Sequence, residues 1–304
     1  RPSYLMVKAG CWGQGARQMH RFFAWDDVEI GCDVPFYVSA DDCLCCETDL
    51  IGSVNVSEAD AAQPERMCDA GAMAWDLHVD KNIAFNVGYG ASAPLRAAQA
   101  FEMYWHAEGM KCFYDGVVVL DGERYVVESD MCFGYADKNW GANFTSPWVW
   151  LASSNLVSCL TGRKLSNSAF EIGGGRPKIF GVALNRKLLG QIVYEGRAYE
   201  FNFSKLWTGS KTEFAASETD NEILWHVEQE TNDAVMVTDI RCPKSQMLFV
   251  NYESPDGKKR HNRLWNGGTG FGHIQLFAKR GGTRELIDYI AVANVGCEYG
   301  EYDR

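Results

Sequence analysis

Short apolar runs interrupted by glycine, asparagine and Asp-Gly pairs recur along the chain, whereas apolar positions at helical spacing over about eleven residues are scarce. In residues 199–203 (YEFNF), aromatic and polar residues alternate, which places the aromatic side chains on one face of a strand. Only one short helix is predicted, at 93–103. The chain is therefore predicted to be mainly β, with further strands at 222–228, 234–240, 246–251, 272–278 and 286–295.

Turn signals divide this β pattern further. Two Asp-Gly pairs, Asp115-Gly116 and Asp121-Gly122, predict tight turns between strands within 113–127. Segment 166–177 contains three consecutive glycines and a proline, and is the most loop-like stretch near the middle. We expect a domain boundary there, which gives two antiparallel β-domains, 1–165 and 166–304, each with enough strands to close as a barrel or sandwich.

Composition narrows the classes of partner. The chain has 304 residues, of which 46% are hydrophobic, so it can bury a core and is not of the disordered class. Its net charge of −11 repels phosphate backbones and argues against nucleic acid. No apolar run approaches the roughly 20 residues of a transmembrane segment. The cysteine count of eleven is odd, and the chain is not a small secreted scaffold, so a reduced, cytoplasmic location is favoured; exposed strand edges allow a homodimer.

Neither a metal nor a cofactor is expected. The six histidines are dispersed and show no metal-binding spacing. The glycine-rich string at 267–272 (GGTGFG) lacks the Lys-Ser/Thr of a phosphate-binding loop, and a tight turn is the better interpretation.

The most unusual stretch is 134–155, which contains three tryptophans. Trp148 and Trp150 are two residues apart, so both face the same side of a strand. An aromatic wall with a few polar groups is typical of hydrophobic ligand sites. Alternatively, the tryptophans belong to the core, and 137–139 is a structural turn whose side chains bind backbone groups.

Residues 135–141 (YADKNWG), followed by Phe144, 147–150 (PWVW) and Asn155, resemble the Y-x-[ED]-K-N-W-G…F-P…W-x-W-x-Q-x-N signature of tocopherol cyclases. The resemblance is best over 101–155. Here the family's Phe-Pro is extended to 144–147 (FTSP), and its glutamine is replaced within 151–155 (LASSN). The wider group includes carotenoid hydratases and fungal Diels-Alderases. The resemblance implies two lipocalin-like β-domains with a hydrophobic cleft and cofactor-free chemistry.

The reaction class implied by the resemblance is protonation of a carbon–carbon double bond, followed by capture of the cation by a hydroxyl group or water. Such chemistry needs a carboxylic acid that stays protonated near neutral pH and aromatic faces that stabilise a cation. The candidate catalytic residues are Asp137, His106 and Glu102, with Glu128, Asp130 and Glu298 as further carboxyl candidates. The candidate substrate-binding residues are Trp140, Trp148, Trp150, Asn139 and Asn155, with Trp265 and His273 from the second half.

The favoured hypothesis is a cofactor-independent cyclase, hydratase or isomerase, an enzyme of the isomerase or lyase class. Its substrate would be a hydrophobic, unsaturated isoprenoid, phenolic or polyketide-like small molecule. The alternative is a non-catalytic carrier of lipocalin type, which needs the same cleft but no acid of raised pKa beside the ligand. A third hypothesis is an interaction protein whose cleft is filled by its own side chains.

Overall fold

A computed structural model describes residues 4–63, 66, 68–85, 95, 97–101, 103–141, 148–253 and 260–302. The mainly β prediction is confirmed, because most described residues lie in strands that pair antiparallel. No helix within these ranges has both the length and the apolar character needed to cross a membrane.

The chain divides into two compact units, Arg1–Asp80 with Cys112–Cys132, and Lys81–Lys111 with Phe133–Arg304. Residue 166, where the sequence predicts a domain boundary, lies within the second unit. Two lipocalin-like domains that meet there remain a prediction.

The first unit contains a two-stranded hairpin, β1–β2, and a series of antiparallel neighbours in the order β3-β4-β5-β6-β7. Strand β9 pairs with the end of β8 through the turn at Asp121-Gly122, as the sequence predicts. The turn predicted at Asp115-Gly116 is wrong, because β8 continues through it. The elements are β1 (Tyr4–Cys11), β2 (Arg17–Ala24), β3 (Glu29–Ile30), β4 (Tyr37–Ala40), β5 (Cys43–Cys46), β6 (Asp49–Val56), α1 (Glu58–Ala61), β7 (Gly71–Phe85), β8 (Met103–Leu120) and β9 (Glu123–Val127).

The second unit holds the end of β7, the start of β8, and β10 to β23. Its main sheet has the strand order β17-β16-β13-β11-β23-β22-β20-β19-β18, while β10 pairs with β8. The strands are β10 (Gly134–Gly141), β11 (Trp148–Ser153), β12 (Asn155–Ser158), β13 (Ala169–Gly175), β14 (Lys178–Ile179), β15 (Val182–Ala183), β16 (Lys187–Tyr194), β17 (Arg197–Phe201), β18 (Lys211–Glu218), β19 (Glu222–Glu230), β20 (Ala234–Pro243), β21 (Leu248–Glu253), β22 (Arg260–Arg280) and β23 (Thr283–Tyr302).

Three local predictions need correction. The segment predicted as a loop, 166–177, contains β13, which lies between β16 and β11 in the sheet. The turn predicted at 137–139 lies within β10. The glycines at 267–272 lie within β22, where irregular pairing with β23 takes the place of a turn. The predicted helix, 93–103, falls partly outside the described residues, and Met103 begins β8.

Strand β13 separates two apolar clusters of the second unit. Phe170 and Ile172 are fully buried in the larger cluster, with side chains of β16, β20 and β23. Ala169 faces the opposite way and packs with Trp105, Ala107 and other residues of the smaller cluster. Because side chains alternate along a strand, Glu171 and Gly173 also face the smaller cluster.

Candidate functional site

Asp137 lies on β10 beside the buried Trp105 of β8. The indole Nε1 of Trp105 donates a hydrogen bond to Asp137 Oδ2 at 2.7 Å. The side chains of Tyr135 and Asn139, which share the same face of β10, also hydrogen-bond this carboxyl group. Asp137, a candidate acid, and Asn139, a candidate substrate-binding residue, thus meet on one strand.

The surroundings of Asp137 favour its protonated form. Removal from water is the largest influence and raises the pKa of Asp137, while the hydrogen bonds from Trp105 and Asn139 act in the opposite direction. Asp137 as a whole residue is nevertheless exposed, because β10 lies at the end of its sheet. Solvent access to this position weakens the effect of burial relative to a fully enclosed group.

A second carboxyl group, that of Glu171 on β13, lies in the same cluster and is fully buried. The Tyr135 hydroxyl donates a hydrogen bond to Glu171 Oε1. The indole Nε1 of Trp150 lies 3.3 Å from that oxygen and 3.3 Å from the Tyr135 hydroxyl. Burial raises the pKa of Glu171 well above its ordinary value, and the charge of Asp137 raises it further.

Glycines let the tryptophan rings lie close to the strands. A Cβ at Gly173 would lie 2.7 Å from ring atoms of Trp105, and a Cβ at Gly296 would collide with the ring of Trp150. Gly173 therefore serves close packing within a strand, which explains why the loop-like sequence around it is misleading.

An apolar cavity of about 80 Å³ adjoins Trp105. The rings of Trp105 and Trp148 meet edge to face there, with centroids 6.4 Å apart. Pockets for whole drug-sized ligands hold roughly 300–1,000 Å³, so this cavity can take only a part of such a molecule. Its lining consists of Phe101, Met103, Tyr104, Trp105, Trp148, Gly173, Gly174, Gly175, Pro177, Lys187, Leu189, Phe203 and Ser204.

Trp148 and Trp150 lie two residues apart on β11, and their indole groups bind different carboxyl groups. Trp150 contacts Glu171, whereas Trp148 Nε1 donates to Glu298 Oε2 at 2.6 Å. Asn266 donates to the other oxygen of Glu298 at 2.5 Å. Glu298, a further carboxyl candidate of the sequence, is thus held by two donors beside the aromatic cluster.

His106 and Trp140, two further predicted site residues, are not among the hydrogen-bond partners of Asp137 named above. His106 lies between Trp105 and Ala107 on β8. Because successive side chains point to opposite faces of a strand, the side chain of His106 points away from the face that carries Trp105 and Ala107. Burial, the largest influence, lowers the pKa of His106, and the nearby Glu108 opposes this shift. Trp140, also predicted as a pocket residue, stacks on Tyr104 with ring centroids 5.6 Å apart.

The remaining predicted site residues contact other parts of the sheet. Asn155 donates to Asn294 at 2.6 Å, Trp265 packs on Phe249, and His273 stacks on Tyr289. Glu102 lies outside the described residues. The structure therefore does not bring Asn155, Trp265 or His273 into the cluster around Asp137.

Sequence reasoning missed Glu171 and gave no role to Tyr135 or Trp105. Glu171 carried one signal, because it is a single charged residue between the apolar Phe170 and Ile172 in a strand-length segment. A buried carboxyl in such a position requires a specific reason.

The chain is similar to one protein of known sequence and one of known structure that are described here. No family model matches the chain. The probable chloroplastic tocopherol cyclase of Oryza sativa subsp. japonica is 34% identical over 116 residues, which cover 38% of this chain and 23% of that protein. The crystal structure of kievitone hydratase from Nectria haematococca superposes with a TM-score of 0.47 and 12% identity, over all of this chain and 81% of that one. The resemblance to tocopherol cyclases that the 135–141 motif indicates is confirmed by the match to the rice protein.

Proposed function

We propose that the protein is a cofactor-independent enzyme that adds the O–H of a hydroxyl group or of water across a carbon–carbon double bond. The observation that carries this proposal is the position of Asp137. Asp137 lies at an exposed position of β10, and its carboxyl group has a raised pKa and is bound by Trp105, whose ring lines an apolar cavity. An acid that is protonated near neutral pH beside aromatic faces is what alkene protonation requires.

The reaction balances without an oxidant or a reductant. The proton of Asp137 and the π electrons of the alkene form a new C–H bond, which leaves a carbocation and the Asp137 carboxylate. The rings of Trp105 and Trp148 stabilise the cation. A lone pair of the hydroxyl or water oxygen then forms the C–O bond, and the proton that this oxygen loses returns to Asp137.

The substrate class follows from the cavity and the relative. A nearly apolar lining suits a hydrocarbon group, and the volume of about 80 Å³ suits one end of a larger molecule. The rice relative is named a probable tocopherol cyclase. We therefore propose an isoprenoid, phenolic or polyketide-like substrate with a double bond, while the cytoplasmic location and the homodimer remain predictions.

The test uses the full chain and a panel of prenylated phenols that have a free hydroxyl group next to the prenyl chain. In D₂O, mass spectrometry should find product with deuterium on the protonated carbon. Asp137→Asn should reduce turnover by about 10²- to 10⁴-fold, since it removes the general acid, while quenching of tryptophan fluorescence still reports binding. Asp239→Asn, at an exposed position of β20, is the matched control and should turn over like the wild type.

Two outcomes would overturn the proposal. Wild-type turnover by Asp137→Asn would mean that another group supplies the proton. Saturable binding of the panel without turnover by the wild type would support the lipocalin-type carrier instead.

A further inference from the structure

The Tyr135 hydroxyl lies between two carboxyl groups, that of Asp137 and that of the buried Glu171. It donates to Glu171 Oε1, and it also hydrogen-bonds Asp137. Burial, the largest influence, raises the pKa of Tyr135 well above its ordinary value, so the hydroxyl keeps its proton. A phenol has a single proton, so Tyr135 can donate to only one of its two partners at a time.

The contacts around Glu171 determine which partner receives that proton. Glu171 Oε2 is buried and has no hydrogen-bond partner among the residues that the structure describes. An ionised carboxylate in this position would leave a charged oxygen without a donor, which costs more than a neutral O–H without an acceptor, so the contacts favour the neutral form. Neutral Glu171 then uses Oε1 as a carbonyl-type acceptor for Tyr135 and Trp150.

We propose that Glu171 is a positioning residue that holds the Tyr135 proton, so that Tyr135 presents an oxygen lone pair to Asp137 and keeps Asp137 in its acid form. The acid O–H of Asp137 donates to Tyr135, while Trp105 donates to Asp137 Oδ2. Without Glu171, the Tyr135 hydroxyl would turn and donate to Asp137, which favours the carboxylate. The inference rests on the proposed function in one respect, because that function is what requires Asp137 to be protonated.

Other charged groups near Asp137 have their own partners. Glu108 of β8 binds Lys81 Nζ at 2.7 Å and Lys138 Nζ at 3.4 Å, and Glu298 of β23 binds Trp148 and Asn266. His106 faces the other side of β8. These contacts differ from those of the Tyr135 hydroxyl with Glu171 and Trp150, so substitutions at Glu171 test the link between Tyr135 and Asp137.

The experiment follows the indole ¹⁵N–H resonance of Trp105 against pH in protein labelled at its ten tryptophans. This resonance reports the ionisation of Asp137 directly, because Trp105 Nε1 is bound to its carboxyl group. Its assignment is the signal that is absent from Trp105→Phe. The readout needs no substrate, so failure of the inference is distinguishable from failure of the proposed enzymatic activity.

Three substitutions test whether Glu171 controls the protonation of Asp137 through the Tyr135 hydroxyl. Glu171→Met should lower the Asp137 midpoint by about one to two pH units, since Tyr135 becomes free to donate to the carboxylate. Glu171→Gln should keep the wild-type midpoint, because the amide oxygen accepts from Tyr135 and the Trp150 indole N–H selects that orientation. Tyr135→Phe should lower the midpoint by about one unit, since the acid form loses its acceptor.

The other outcomes overturn the inference. Equal downward shifts in Glu171→Gln and Glu171→Met would mean that a charge on Glu171 controls Asp137. An upward shift in Tyr135→Phe would mean that Tyr135 donates to Asp137, and an unchanged midpoint in all three variants would mean that the contacts have no influence. Asp288→Asn, at a buried carboxyl with a different tyrosine partner, is the matched control and should keep the wild-type midpoint.

Discussion

Among the described residues of the second unit, two buried carboxyl side chains each accept a hydrogen bond from a tyrosine, and their surroundings differ. Asp288 on β23 accepts from Ser158 Oγ at 2.9 Å, from Tyr194 Oη at 3.1 Å and from the backbone N–H of Tyr289 at 2.8 Å. Both of its oxygens have donors. Glu171 concentrates its donors on Oε1 and leaves Oε2 without a partner among the described residues.

This difference separates a structural carboxyl group from a functional candidate. A buried polar group with all its partners stabilises one arrangement of the chain, as Asp288 does where β12, β16 and β23 approach each other. A buried group that lacks a partner costs stability and persists where it serves another purpose. The unpartnered oxygen of Glu171 lies in the cluster that also contains Asp137.

The largest expected change is in the free energy of unfolding when each carboxyl group is removed in turn. Asp288→Leu leaves three donors without this acceptor, one of them the buried Ser158 hydroxyl, and we expect the free energy of unfolding to fall by about 3 kcal/mol. Glu171→Met should cost about 1 kcal/mol, because it also removes an unpaired oxygen and leaves Tyr135 able to turn toward Asp137. Urea denaturation followed by circular dichroism measures both changes.

Similar losses in the two variants would contradict the distinction. They would mean that Glu171 contributes to stability as fully as Asp288 does, and that its unpaired oxygen carries no cost.

Local sequence patterns predicted the strands well because alternation is a local property. The aromatic alternation around Tyr199 and Phe201 corresponds to β17, where both side chains are buried. Patterning failed where glycine serves close packing. Gly173 lies under the ring of Trp105, and no rule about neighbours in sequence distinguishes such a glycine from a turn glycine.

The candidate site could be predicted only in part for a related reason. Asp137 stands in a recognisable motif, but its cluster includes a side chain 34 positions later in the chain, that of Glu171, placed by the pairing of β11 with β13. Single-sequence spacing carries no information on that pairing. The role of Tyr135 likewise depends on contacts on both sides of its hydroxyl group, and Asn155 and His273 have the right chemistry without the right position.

The dependence of stability on pH offers a second test of the comparison. Glu171 has an ordinary pKa of 4.5 in the unfolded chain and a raised pKa in the folded protein. Below pH 4.5 both states bind the proton. At higher pH the unfolded chain releases the proton while the folded protein retains it, so stability is lost as pH rises, by about 1.4 kcal/mol per pH unit, until the pH passes the folded-state pKa.

Glu171→Gln removes this dependence, because an amide does not titrate. We expect its free energy of unfolding to increase relative to that of the wild type as pH rises from about 5 to 8. Urea denaturation at each pH measures the difference between the two proteins. A difference that stays constant over this range would show that Glu171 ionises alike in both states.

The smallest effect compares the two tyrosines. Tyr194→Phe removes one of the three donors to Asp288 and should lower the free energy of unfolding by about 1 kcal/mol without changing the Trp105 indole titration. Tyr135→Phe should cost a similar amount, since Glu171 Oε1 keeps only the Trp150 donor, but it should also lower the Asp137 midpoint seen at Trp105. Denaturation curves and the indole spectrum, measured on the same two variants, separate the two contributions. If Tyr194→Phe shifted the Trp105 titration as much as Tyr135→Phe does, the link to Asp137 would be a general effect of the sheet rather than a property of the Tyr135 hydroxyl.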